Sequence, residues 1–133
     1  MKNIVVLVND RPESRAALEW AMNVGTGLHS PATQPTVHVV LGPSTDTPAG
    51  PRYVSPTLAD DITSQLRASS VKHEIYSEPT HPADRVIFLA GQVDADLVVI
   101  GLRKRSATLK LIIGSHQRDI LVDAPCPVVG IKE

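Results

Sequence analysis

The sequence predicts an α/β domain in which a parallel sheet is covered by helices on both faces. Several short runs are apolar throughout, which is typical of strands that are buried on both faces. Segments with helical periodicity alternate with these runs along the chain, and this alternation favours a parallel sheet. Aromatic residues make up only 3% of the chain, so the core must be built from Val, Ile, Leu and Ala.

Five segments are predicted to form the strands of this sheet. The first and fourth are continuous apolar runs, whereas the third alternates and is expected to be half-buried. Pro127 cannot donate a hydrogen bond to a neighbouring strand in mid-sheet, so the last strand is expected at an edge. In chain order the strands are residues 3–8, 36–42, 72–78, 96–101 and 126–132.

Four helices are predicted between these strands. Pro12 and Pro82 suit the first turn of their helices, while Ser115 is expected to cap the last helix, which Pro125 stops. Residues 43–57 hold four prolines and form the most loop-like part of the chain. The helical segments are 11–28, 58–69, 82–93 and 116–124.

Composition and charge exclude several classes of protein. The chain of 133 residues fits one domain, and its net charge of −1 predicts no attraction to nucleic acid or to an anionic membrane. The first apolar run has five residues before Asn9, too few for a signal peptide or a membrane span. The single cysteine, Cys126, excludes an internal disulfide and fits a reducing compartment. We therefore expect a single domain over residues 1–133 in the cytoplasm.

The sequence contains no recognisable pattern of catalytic or metal-binding residues. Its five histidines lack the spacing of metal ligands, and neither a P-loop nor a Gly-x-Ser-x-Gly nucleophile motif is present. The adjacent carboxylates of Asp60 and Asp61 do not share a helix face, so they do not form an acid/base pair. We therefore expect no catalytic residue and no metal site, and a binding protein is favoured over an enzyme.

A ligand is expected beyond the carboxyl ends of the strands, where open α/β sheets bind their ligands. Asn9–Asp10, Leu41–Gly42 and Gly101 lie at the carboxyl ends of three of the predicted strands. Gly101 also opens the basic stretch GLRKRSATLKLIIGS, which ends with Gly114-Ser115 at the start of the last helix. Because the free N–H groups of a helix start attract anions, this stretch is either a phosphate-binding loop or a solvated basic loop.

Three segments of the chain resemble the universal stress proteins, and the resemblance covers nearly the whole length. They are IVVLVNDRPESRAALEWA, HPADRVIFLAGQVDADLVVIG and GLRKRSATLKLIIGSHQRDILVDAPCPVVGIK. The last is the most specific, because family members carry a glycine, two residues, a second glycine, nine residues and then Gly-Ser or Gly-Thr. The resemblance implies a Rossmann-like, adenine nucleotide alpha hydrolase-like fold with a five-stranded parallel sheet of order 3-2-1-4-5. It also implies a homodimer that pairs through the edge strand Cys126–Lys132.

The same resemblance implies a role in the stress response and a site for ATP or a related adenine nucleotide. In the nucleotide-binding branch of the family, an aspartate after the first strand contacts the nucleoside, and the glycine loop with its Gly-Ser backbone holds the phosphates. Gly101, Gly114 and Ser115 match that motif. Carried over by position, the expected contacts are Asn9, Val40, Leu41, Gly101, Arg103, Lys104, Gly114, Ser115 and His116.

Two residues depart from the family pattern. Lys104 stands at the second glycine position, where a left-handed conformation would cost a lysine about 1–2 kcal/mol, and its side chain would either grip a phosphate or fill the phosphate's space. Asn9 replaces the aspartate and would bind a ribose hydroxyl less strongly. Both departures favour an alternative, a non-nucleotide dimeric stress protein that acts through contacts with unknown protein partners. A third hypothesis, a weak ATP hydrolase or phosphotransferase, requires a metal ion and a water-positioning group.

Overall fold

The computed structural model describes residues 1–27, 34–43, 56–77, 81–105 and 110–132. Within these ranges the chain forms six strands and four helices. The strands are β1 (Asn3–Val8), β2 (Thr36–Leu41), β3 (His73–Tyr76), β4 (Leu97–Arg105), β5 (Lys110–Ile112) and β6 (Val128–Lys132). The helices are α1 (Pro12–Gly27), α2 (Pro56–Ala68), α3 (Pro82–Gln92) and α4 (Ser115–Asp123).

Five parallel strands form the body of the sheet, in the order β3-β2-β1-β4-β6. This is the 3-2-1-4-5 order that the resemblance implied, so the predicted fold is confirmed. β6 pairs with β4 from Val98↔Val128 to Leu102↔Lys132 and lies at an edge of the described sheet. Pro127 precedes this strand, and its carbonyl accepts a hydrogen bond from the Val98 N–H at 3.0 Å. The order reverses between β1 and β4, which is where such sheets form a ligand crevice.

The helices divide between the two faces of the sheet. Side chains of α1 and α2, including Leu18 and Ile62, pack on one face. Side chains of α3 and α4, including Leu89 and Ile120, pack on the other face. Because both faces are covered, the strands between them need apolar residues at every position.

β1 illustrates this two-sided burial. Successive side chains of a strand point to opposite faces, so each one enters a different core. Burying an aliphatic side chain of this size contributes roughly 1.5–3 kcal/mol relative to leaving it exposed. Ile4, Val6 and Val8 pack in the core under α1, and Val5 and Leu7 pack in the core under α3.

The stretch after Gly101 differs most from the sequence-based expectation. β4 continues beyond the residues expected at 96–101 and pairs antiparallel with β5, so 101–105 are strand rather than loop. Lys104 lies opposite Leu111 in this pair. Among the described non-glycine residues, positive φ is found only at Ser70 and Asp94. Lys104 therefore does not carry the left-handed conformation, and the expected cost of 1–2 kcal/mol does not arise.

The start of α4 also requires a correction. Gly114 occupies the N-cap position, with φ −67° and ψ 163°, and Ser115 is the first helical residue. The prediction that Ser115 caps this helix is therefore wrong. Most of the proline-rich segment 43–57 lies outside the described residues, and α2 begins at Pro56. None of the helices in the described parts of the chain is long and apolar enough to cross a membrane.

Candidate ligand-binding site

The candidate site lies where β1 and β4 run side by side and the strand order reverses. The last pair in this ladder joins Val6 and Val99. Beyond it, the chain leaves β1 through a turn at Asn9 and enters α1, while β4 continues through Arg103 to Arg105. The residues that follow β1 and those that end β4 therefore face the same end of the sheet.

Asn9 forms the turn that leads into α1. Its Oδ1 accepts a hydrogen bond from the Arg11 backbone N–H at 3.0 Å, and its own backbone N–H donates to Ser14 Oγ at 2.8 Å. The Ser14 hydroxyl in turn donates to the Leu7 carbonyl at 3.1 Å. An amide oxygen has two lone pairs, so this turn leaves Asn9 Oδ1 able to accept a second donor. The predicted contact with a ribose hydroxyl is compatible with the turn.

A buried carboxylate joins the ends of the two strands. Glu13 Oε1 lies 2.8 Å from Arg11 Nε and 3.6 Å from Arg103 Nε, and the Glu13 side chain is only 8% exposed. We call Arg11, Glu13 and Arg103 the arginine–glutamate cluster. Two guanidinium charges against one carboxylate give it a formal charge of +1. The arginine side chains are 31% and 38% exposed, so both are partly accessible to solvent.

The arginine–glutamate cluster keeps Glu13 ionised at neutral pH. Burial raises the pKa of Glu13 and is the largest single effect. Hydrogen bonds from its own backbone N–H and from Arg11 lower the pKa, as do the charges of Arg11 and Arg103. These favourable interactions outweigh burial and hold the pKa of Glu13 below its ordinary value of 4.5.

Gly101 lies in close contact with the first turn of α1. A Cβ atom at this position would lie 2.5 Å from the Glu13 carbonyl oxygen and 2.6 Å from its carbon. Because these are backbone atoms, a side chain at Gly101 would displace the helix or the strand. This glycine allows α1 to approach β4, and it does so independently of any ligand.

Val40 and Leu41 offer almost no surface to a ligand. Only 1% of Val40 and 0% of Leu41 is exposed, main chain included, and their side chains pack in the cores on opposite faces of the sheet. Next to them, the Gly42 N–H donates to the Val8 carbonyl at 2.8 Å, which holds the end of β2 beside β1. The structure therefore does not expose these two predicted contacts at the candidate site.

The start of α4 is the exposed end of the predicted phosphate motif. Gly114 and Ser115 are exposed and His116 is half-buried. The Gly114 carbonyl accepts the Arg118 N–H at 2.9 Å, as an N-cap residue does. Its backbone conformation is open to any residue, and the nearest atoms to a Cβ there would be those at the end of the Gln117 side chain. Gly114, unlike Gly101, is not required by the fold.

Sequence reasoning did not identify Arg11 and Glu13 as members of the site. The sequence does place these two charged residues at the start of a helix that follows a buried strand. This pattern indicates a site only when β1 and β4 are known to be neighbours. The structure brings the Asn9 turn and Arg103 together through these two residues. The side chain of Lys104 lies outside the described side chains. Within the described ranges, no three His, Cys, Asp or Glu side chains could jointly hold a metal ion.

An open parallel sheet with helices on both faces, whose strand order reverses at its centre, defines a doubly wound α/β domain. A comparison with models of protein families matches residues 1–132 to the universal stress protein family. The chain therefore belongs to the universal stress protein family.

Individual relatives agree with this assignment. A universal stress protein from Mycolicibacterium smegmatis is 30% identical over 135 aligned positions, which cover 97% of this chain and 96% of the relative. The structure of a universal stress protein from Archaeoglobus fulgidus is similar with a TM-score of 0.67 at 26% identity, over 99% of this chain and 94% of that chain. A universal stress protein of the same organism in complex with dAMP has a TM-score of 0.62 at 23% identity, over 99% and 98% of the two chains.

Proposed function

We propose that this protein is a stress-response module that binds an adenine nucleotide, ATP or a related one, at the carboxyl ends of β1 and β4. The arginine–glutamate cluster is the observation that carries the proposal. It sets a net positive charge at the reversal of strand order, where sheets of this type bind ligands. Guanidinium groups match the geometry of phosphate oxygens, so the cluster suits the phosphates of a nucleotide.

α4 supplies a second group for phosphate. The first N–H groups of a helix have no partner within the helix, and the dipole makes that end attractive to anions. The pairing of Arg103 with Ile112 returns the chain to the end of β4 just before α4 begins at Ser115. The relative solved in complex with dAMP supports the same ligand class, because it shares this fold.

A calorimetric titration with ATP, ADP and AMP, each with and without magnesium, tests the proposal. A ligand at 100 times its Kd stabilises the fold by about 2.7 kcal/mol, which thermal unfolding also detects. Arg103→Gln should weaken binding, whereas Arg67→Gln, in the exposed last turn of α2, serves as the control and should not. Failure of all three nucleotides to bind at millimolar concentration would contradict the proposal.

Two further variants locate the phosphates. Gly114→Asp should abolish binding by placing a carboxylate at the start of α4, and the φ of −67° allows that residue without backbone strain. Lys104→Gly restores the glycine of the family motif. Tighter binding by this variant would mean that Lys104 obstructs the phosphates, and weaker binding would mean that Lys104 contacts them.

A function through protein contacts is the second candidate, and a different surface favours it. Large apolar side chains are exposed on α3 and α4, which is unusual for a surface without a partner. Phe88 is 62% exposed, Leu121 44% and Val122 74%. A groove of about 460 Å³ lies between these helices and is lined by Ile87, Phe88, Gly91, Gln92, Asp123 and Pro125. Loss of a partner on Phe88→Ser, with nucleotide binding unchanged, would favour this function.

We also propose that the protein is a cytoplasmic homodimer that pairs through Cys126–Lys132. In the described sheet β6 pairs with β4 alone, so its outer edge can accept a strand from a second copy. Sedimentation should then show a dimer at micromolar concentration, and hydrogen exchange of the β6 amides should slow as the concentration rises. A monomer throughout the micromolar range would contradict this proposal.

A further inference from the structure

A polar network crosses the face of the sheet that packs under α3, and no part of it belongs to the candidate site. The Asn3 side-chain amide donates to the Val93 carbonyl at 2.9 Å, and Asn3 Oδ1 lies 2.9 Å from His38 Nε2. The other ring nitrogen, Nδ1, lies 3.1 Å from the hydroxyl of Tyr76. That hydroxyl donates to Glu74 Oε2 at 2.7 Å. We call Asn3, His38, Tyr76 and Glu74 the His38 network.

The hydrogen bonds determine which nitrogen of His38 carries a hydrogen. Because the Asn3 amide nitrogen faces the Val93 carbonyl, Asn3 Oδ1 faces His38. An amide oxygen only accepts hydrogen bonds, so His38 Nε2 must be protonated. In the neutral ring, Nδ1 is then an acceptor.

While His38 is neutral, the network has one hydrogen too few to form all of its hydrogen bonds. The Tyr76 hydroxyl has one hydrogen and two neighbouring acceptors, His38 Nδ1 and the Glu74 carboxylate. Only one of these two contacts can be a hydrogen bond while His38 is neutral. If His38 gains a proton on Nδ1, both contacts become hydrogen bonds at the observed distances.

We propose that the His38 network is a proton switch in which proton uptake by His38 adds the hydrogen bond that the neutral network lacks. In the neutral form, Tyr76 donates to Glu74, and His38 Nδ1 receives no hydrogen from Tyr76. In the protonated form, Nδ1–H donates to the Tyr76 oxygen, and Tyr76 still donates to Glu74. The proton comes from solvent and remains on His38, so the change is one N–H bond and one added hydrogen bond.

The surroundings of His38 set the pH range of the switch. Burial lowers the pKa of His38 and is the largest effect, whereas the charge of Glu74 raises it, and the pKa lies below the ordinary value of 6.5. Arg85 of α3 lies over the Tyr76 ring, with Cζ 5.4 Å from the centroid, and adds a positive charge nearby. β1 and the end of α3 contribute neutral groups. The switch therefore operates below pH 6.5.

Tyr76 keeps its hydrogen throughout this range. Burial, followed by the hydrogen bond and the charge of Glu74, raises the pKa of Tyr76 to about 12, against a smaller opposite effect of Arg85. The hydroxyl can therefore donate to Glu74 whether His38 is neutral or protonated. Because Tyr76 and Glu74 both belong to β3, the switch acts on the four-residue edge strand of the sheet.

An NMR titration of the 15N-labelled His38 ring tests the switch. At neutral pH the ring should be the Nε2–H tautomer, and its titration midpoint should lie below 6.5. Tyr76→Phe and Glu74→Gln should each lower that midpoint, because each removes a group that stabilises the protonated ring. Glu19→Gln is the control, because it removes the same charge from an exposed position of α1, on the opposite face of the sheet from His38. It should leave the midpoint unchanged.

Three results would overturn the proposal. They are an Nδ1–H tautomer at neutral pH, no protonation of His38 before acid unfolding, and a midpoint in Glu74→Gln that is unchanged or raised. The last result is decisive even if Tyr76→Phe does not fold. Glu74 is exposed, so its replacement by an uncharged side chain of the same shape preserves packing.

Discussion

Gly101 of β4 lies directly against Glu13 in the first turn of α1. A Cβ at Gly101 would lie 2.5 Å from the Glu13 carbonyl oxygen and 2.8 Å from the Ser14 nitrogen. This close approach brings the Glu13 side chain onto Arg103, two residues further along β4. The first glycine of the family motif therefore has a structural role at the same place where the motif implies a phosphate.

Gly101→Ala should destabilise the protein by about 1–3 kcal/mol, the usual cost of an extra carbon in a packed contact. Urea unfolding measures this change. Gly91→Ala is the matched control, since Gly91 lies in α3 and a Cβ there meets no atom within 4 Å. It should stabilise the helix by roughly 0.5–1 kcal/mol. Equal effects of the two substitutions would contradict the packing role of Gly101.

Glu13→Gln should lower the free energy of unfolding at neutral pH by about 1.5 kcal/mol, a value at the low end for hydrogen bonds to charged groups because both arginines contact solvent. The folded pKa of Glu13 lies below 4.5, so its stabilisation is present above that pH and is lost as the pH falls through the folded value. Unfolding at a series of pH values should therefore show a smaller acid loss in the variant. Glu19→Gln should change stability at neutral pH by less than about 0.5 kcal/mol.

Cys126 should react slowly with iodoacetamide in the folded protein. Burial raises the pKa of the Cys126 thiol, and the negative charge of Asp96 raises it further, so little thiolate is present at neutral pH. Mass spectrometry should show faster alkylation in urea than in buffer. Asp96→Asn should speed the reaction of the folded protein and leave the rate in urea unchanged. A folded parent that reacts as fast as the unfolded chain would refute this.

His38→Gln should flatten the dependence of stability on pH in the mildly acidic range. The folded pKa of His38 lies below 6.5, so the stability that comes from its neutral form is complete above 6.5 and declines as the pH falls toward the folded value. The difference between parent and variant in urea unfolding, taken between about pH 6.5 and 5, isolates this contribution. The prediction would be contradicted if the parent gained stability relative to the variant as the pH falls over this range.

Parts of the candidate site were accessible to sequence reasoning, and others were not. Asn9 follows an apolar run, so its position at the carboxyl end of β1 could be predicted from the run alone. Gly101 was also expected at a strand end, but β4 continues to Arg105 because β5 pairs with it. Glu13 was not predicted as part of the site, because its partner Arg103 is remote in the chain. The role of Gly101 in helix packing was missed for the same reason. A glycine in a sequence does not reveal which backbone segment packs against it in the fold.

The alternation of buried strands and helices, and the prolines that open α1 and α3, could be predicted from the sequence. Apolar runs and prolines influence the conformation of the residues next to them in the chain, so their effects can be predicted without knowing the fold. Three features could be seen only in the tertiary structure. Residues 101–105 extend β4 along β5, Glu13 pairs with two arginines, and the partners of His38 place a hydrogen on its Nε2. Each of these depends on partners from other strands, because hydrogen bonds and ion pairs require groups that only the strand order brings together.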